Sequence, residues 1–163
     1  MDSRIKILIG FAAVLAVAVG AVLIGRGGSD SGDDATTTAA ASEKPTVEVP
    51  DEPPPKELVV EDLEPGDGDE AKAGDQISVQ YVGVAYETGE EFDASYDRGE
   101  PFELELGAGA VIPGWDQGIE GMKVGGRRQL TIPPDLAYGA EGSPPAIKGG
   151  ETLIFVVDLL GVQ

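Results

Sequence analysis

From Gln76 to Tyr86 the chain carries the period of a half-buried β-strand: Ile77, Val79, Tyr81 and Gly83 recur at every second position, with Ser78 and Gln80 between them. The same period returns in Phe102, Leu104 and Leu106, where Glu103 and Glu105 form the solvated face. Arg127 to Ile132 reads as another strand, and Thr152 to Val162 as a last, very apolar one. Glu87-Thr88-Gly89-Glu90 reads as a turn, with Gly89 free to take positive φ. One stretch has helical period instead. Pro113 suits a first helical turn, and Trp115, Ile119 and Met122 follow at i, i+4 and i+7 on one face. Gly121 and Gly125-Gly126 then stop it. The pattern predicts a mostly antiparallel sheet with one short helix on its concave face, over residues 56–163.

Two segments precede that unit. Arg4 and Lys6 lead into an uncharged run, Ile7 to Gly25, that closes at Arg26. At about 19 residues it approaches the ~20 needed to cross a bilayer as a helix. No polar face interrupts it, which argues against a buried core helix. A cleavable signal peptide is the competitor, with small residues near Ala16, Ala18 and Ala21. The run length favours an uncleaved anchor over residues 1–26, and either reading exports the remainder. Residues 27–55 are rich in Gly, Ser, Thr, Ala, Pro and acids, so they read as a disordered linker. The unit over residues 56–163 is therefore expected on the extracytoplasmic side, held by the membrane, or secreted if the leader is cut.

Composition removes several chemistries. There is no cysteine and no histidine, so thiolate zinc sites, disulfides and triads that use His or Cys are excluded. Thirty acidic residues against eleven basic ones give a net charge of -19, which disfavours nucleic acid. The acids show neither a paired-carboxylate spacing nor an EF-hand pattern, so no metal is expected. What remains is a set of aromatics and two Gly/Pro-rich loops, Gly107–Gly114 and Ile132–Gly150. Each aromatic taken alone is most simply core, and each Gly or Pro a turn. Together they point to apolar enclosure with a few hydrogen bonds, with no nucleophile.

The segments YVG at Tyr81, GEEFDASYDRGEPF from Gly89, LGAGAVIPGWDQGIEGMKVGGRRQLTIPPDLAYG from Leu106 and TLIFVVDLL from Thr152 resemble FKBP-type peptidyl-prolyl cis-trans isomerases. The resemblance covers about Lys56 to Gln163 and fits the minimal single-domain branch, in an exported or membrane-tethered form. It implies an α+β fold, a strongly twisted antiparallel sheet wrapped around one short α-helix, with an apolar pocket between the two. It implies Trp115 as the pocket floor and Tyr81, Phe92, Phe102 and Phe155 as walls, with Val111 and Ile147 beside them. Ile112 would offer its N–H to a substrate carbonyl and Tyr138 its phenol to another. Asp93 would sit at the rim, held near Tyr81 and Arg98. The residues expected to act on the turning bond are Asp93, Tyr138, Tyr81 and Phe92.

Three positions depart from the family pattern. Ser143 stands where animal members often carry His, Ala146 where Ile is frequent, and Pro113 where Arg or Lys is. The first two shrink the apolar roof and bear on substrate preference and macrolide affinity. The implied partners are proline-containing segments of exported proteins and macrolide inhibitors. No cofactor is implied, and a monomer is expected. The rival reading is a binding or chaperone module of the same fold with little turnover.

Overall fold

A computed structural model describes residues 43–163. The expected anchor, residues 1–26, and the first part of the expected linker, 27–42, lie outside the described residues. Among the described residues no helix is long and apolar enough to cross a membrane.

Six strands form one antiparallel sheet. They are β1 (Val59–Glu64), β2 (Gln76–Ala85), β3 (Glu91–Ala94), β4 (Phe102–Glu105), β5 (Arg127–Ile132) and β6 (Leu153–Val162). The order across the sheet is β1-β5-β6-β2-β3. β4 pairs with β2 as well, opposite Gln76 to Val79, while β3 takes Val82 to Val84. One edge of β2 is therefore shared by two short strands, with a gap at Gln80 and Tyr81. The helix α1 (Ser95–Arg98) fills that gap. This second helix was not expected; its four residues are too few to show a helical period.

The principal helix, α2 (Pro113–Ile119), starts on its proline and ends two residues before Gly121, which has φ 85°. Met122 lies past the helix end but stays buried, its N–H donating to Ile119 O at 2.9 Å. Two helix glycines explain how closely α2 sits on β5. A Cβ at Gly114 would stand 2.5 Å from Ile132 Cγ2, and one at Gly118 2.6 Å from Leu130 Cδ2. Strand alternation sorts the sheet residues: Ile77, Val79, Tyr81, Leu130, Ile132, Leu153, Phe155, Val157 and Leu159 join Trp115 and Ile119 in the main core. The opposite residues, Val82, Val84 and Ile154, form a smaller cluster on the back face with Tyr86 and Ala94.

That back face corrects the linker expectation. Residues 43–55 have no regular secondary structure, but they are not a free tether. Val47 and Val49 pack on the back-face cluster. Lys44 Nζ reaches Glu91 at 3.0 Å and Asp97 at 2.7 Å. Tyr86 Oη donates to the Glu52 carbonyl at 3.1 Å, and Arg127 Nη2 donates to the Glu43 carbonyl at 3.0 Å. Composition alone counted the ordering entropy of this segment and not the apolar surface waiting for its two valines.

Candidate active site

The main core opens at one end into a cleft of about 230 Å3 between α2 and the sheet. Its wall carries Tyr81, Phe92, Asp93, Phe102, Ala110, Val111, Ile112, Trp115, Tyr138 and Phe155. Trp115 is only 4% exposed, yet its ring faces this space. It is gripped edge-on by its neighbours: Tyr81 at 5.0 Å and 83°, Phe155 at 5.3 Å and 90°, Phe102 at 6.1 Å and 77° between ring centroids and planes. Edge-to-face contacts of this kind suit the ring quadrupoles and fix the cage without polar partners. The Trp115 Nε1 is buried and finds no acceptor among the described residues, where ring packing sets its orientation.

Gly83 makes the far wall possible. It lies opposite Phe155 on β6 and opposite Asp93 on β3, beside a bulge between Gly83 and Val84. A Cβ there would meet Phe155 Cε1 and Phe92 Cζ, each at 2.7 Å. The absent side chain lets the Phe92 and Phe155 rings approach to 5.5 Å at 85°.

The rim is polar. Tyr81 Oη donates to Asp93 Oδ2 at 2.5 Å; Arg98 Nη1 donates to Asp93 Oδ1 at 2.5 Å and Nη2 to Tyr81 Oη at 2.8 Å. The guanidinium also lies 5.5 Å from the Tyr81 ring centroid. Tyr81 is held from behind as well. Its backbone N–H faces the gap between β3 and β4, where no strand can accept it, and donates instead to Ser95 Oγ at 2.8 Å. Ser95 is fully buried and donates in turn to Gln80 Oε1.

Burial raises the Tyr81 phenol above its ordinary 10.0, the bond to Asp93 adds to this, and Arg98 opposes it. A phenol whose folded pKa is raised contributes stability below the unfolded value, and loses it as pH climbs through the folded one. Unfolding free energy measured between pH 8 and 11 is therefore expected to gain a downward slope from about pH 10. Tyr81→Phe should flatten that slope; an identical slope in the variant would remove Tyr81 from the account.

The opposite wall is a loop pinned by the helix. Asp116 accepts the N–H of Gly107 at 2.9 Å and of Gly109 at 3.2 Å. Both glycines have positive φ, 78° and 72°. Ile112 follows, its carbonyl taken by Trp115 N–H at 3.0 Å. Tyr138 stands over the mouth, 42% exposed.

One expected pocket residue falls elsewhere. Ile147 is buried in the main core, its N–H and carbonyl bonded to Ser143, and is not among the residues lining the cleft. Arg98 stands at the rim and meets the cleft through its hydrogen bonds to Tyr81 and Asp93. Ala110 lines it without having been singled out. Ser95 and Asp116 were also missed; a first-turn Asp beside a glycine-rich loop was the available signal for the second. Among the described residues no group of three or more acids could hold a metal.

The cleft is an aromatic cage with a hydrogen-bonded rim. Residues 68–160 match the family profile described as FKBP-type peptidyl-prolyl cis-trans isomerase. The chain belongs to that family. An FK506-binding protein of Streptomyces anulatus is 59% identical over 121 residues, covering 74% of this chain and 98% of that protein. A probable FK506-binding protein of Corynebacterium glutamicum is 53% identical over 118 residues, with 72% and 98% covered. Among solved structures, the crystal structure of AtFKBP13 superposes with a TM-score of 0.61 at 40% identity, covering 65% of this chain and 93% of that one. In this FKBP-type chain the matched region spans β2 to β6 and includes every residue of the cleft wall.

Proposed function

We propose that this FKBP-type isomerase turns Xaa-Pro bonds inside the Trp115 cleft, without covalent chemistry. The observation that carries this is a small, ring-lined space with the hydrogen-bonded Tyr81, Asp93 and Arg98 at its rim. Rotation about the prolyl amide faces a barrier of ~18–20 kcal/mol set by resonance, which places negative charge on the oxygen of the planar form. Twisting the bond weakens that polarity. A water-poor ring cage then favours the twisted form over the planar one, and only such differential binding accelerates the step. Trp115 lies under the proline, with Phe92, Phe102 and Phe155 around it. The Ile112 N–H and the Tyr138 phenol each take a substrate carbonyl and hold the flanking peptide in a turn. Asp93, fixed by Tyr81 and Arg98, sets the polarity of the rim beside the turning bond.

The same cage would receive a macrolide; two of the relatives carry the name FK506-binding protein. The clients we assign are proline-containing segments of exported proteins, met by a monomer tethered through residues 1–26 outside the cytoplasm. That assignment is supported by the uncharged run Ile7–Gly25.

Magnetisation-exchange NMR on an Xaa-Pro peptide with the full chain tests the reaction. Added protein should speed cis-trans exchange, and Phe92→Ala should lower kcat/KM about tenfold or more, a loss of roughly 1.4 kcal/mol or more in transition-state binding. Exchange no faster than in buffer would favour a binding module, and full activity in Phe92→Ala would refute the cage mechanism.

A further inference from the structure

The cleft has a larger neighbour. On the other side of Phe92 lies a cavity of about 540 Å3, walled by the turn after β2 (Thr88, Glu90), by Glu91 at the start of β3 and by the loop leading into β6 (Lys148, Glu151). Phe92 lines both spaces, so a peptide seated in the cleft has this cavity within reach of a neighbouring side chain. Glu151 is 7% exposed. Its Oε2 accepts the Lys148 N–H at 3.2 Å, but Oε1 is buried with no partner among the described residues. A half-satisfied carboxylate away from water costs free energy that pairing with a cation returns. Glu91 is already paired with Lys44. No ion pair among the described residues involves Glu90, Lys148 or Glu151.

The chemistry of the walls narrows the occupant. These acids form no metal-holding group. An anion would meet Glu90 and Glu91 on one wall and Glu151 on the other against the single ammonium of Lys148, and an apolar group would leave Oε1 unsatisfied. A nitrogen cation answers it, and the last torsion of a glutamate is broad enough to turn the carboxyl toward one. We propose that this cavity is an extension of the substrate site, taking the ammonium or guanidinium of a lysine or arginine next to the Xaa-Pro pair, with Glu151 as its carboxylate partner. The proposal rests on the isomerase reading above.

The whole chain, at net charge -19, draws any cationic peptide, so the test must separate a local contact from that field. Peptides differing only in Lys, norleucine or Glu, placed just before or just after the Xaa-Pro pair, are compared by exchange NMR with the full chain at 0.15 M salt. At one of the two placements kcat/KM for Lys is expected to exceed that for norleucine about tenfold, with Glu lowest. In Glu151→Gln, which changes the total charge little, that ratio should fall to about twofold. In Glu90→Gln, on the exposed turn, it should fall by about half, and this variant decides the matter if Glu151→Gln does not fold. Turnover of norleucine peptides with no Lys preference at either placement would overturn the subsite and leave the isomerase standing. A preference that stays near tenfold in the folded Glu151→Gln chain, or in Glu90→Gln when that variant decides, would assign it to the global field and overturn the subsite too. No turnover of any peptide would overturn the isomerase reading, and the subsite with it.

Discussion

Truncating Phe155 to alanine is expected to remove about 3–5 kcal/mol of stability, a large share of the ~5–15 kcal/mol that holds a domain of this size, and to abolish most isomerase activity. Phe155 is buried, on the strand at the middle of the sheet, and its ring meets Trp115, Phe92 and Tyr81. Its removal opens a void that these three rings cannot all fill without leaving their edge-on contacts. Urea unfolding measures the first effect. The second is separated from it by Phe155→Leu, which keeps most of the volume: the fold should survive, and kcat/KM should still fall because the Trp115 ring loses its flat partner. Full activity in a folded Phe155→Leu chain would show that ring geometry is not what the reaction uses.

The second large effect is expected from the smallest change. Gly83→Ala adds one methyl group at a point 2.7 Å from atoms of both Phe92 and Phe155. Neither ring can retreat alone, since Phe155 is backed by Trp115 and Phe92 sits on the bulged edge strand. The cost should be about 1–3 kcal/mol, typical of overpacking in a close-packed interior. Activity should fall at least tenfold, because relief comes most easily by pushing Phe92 into the cleft or away from it. Thermal unfolding and exchange NMR on the same variant check both. An active Gly83→Ala chain of unchanged Tm would mean that the wall is softer than its spacing shows.

Strand period made the centre of this fold legible. β2 and β6 lie next to each other, so their alternation and apolar content announce two buried strands, and Pro113 and Gly121 bracket the helix. What stayed hidden are contacts that no local pattern encodes. Asp158 looks misplaced in the run from Thr152, until Arg127 is found clamping it at 2.6 and 2.9 Å and the Tyr96 hydroxyl bonding the same carboxylate. Ser95 reads as one more loop serine, although it supplies the acceptor that Tyr81 lacks. Val47 and Val49 do alternate with Thr46 and Glu48, a signal drowned by the prolines and acids around them. In the cleft, the ring residues could be named from their motifs, but motif could not show that Ile147 turns inward. The vacancy behind Phe92 needed the turn and the loop to be seen together.

The docked strap also fixes where this domain can be held. Residues 43–52 arrive over the back of the sheet, on the side away from Trp115, and Lys44, Val47, Val49 and Glu52 fasten them there at separate points. A load applied at Glu43 would thus be shared across the rear of the scaffold before it reaches any ring of the cage. Strap valines and Trp115 lie on opposite faces of the sheet, so the strap leaves the mouth of the cleft clear.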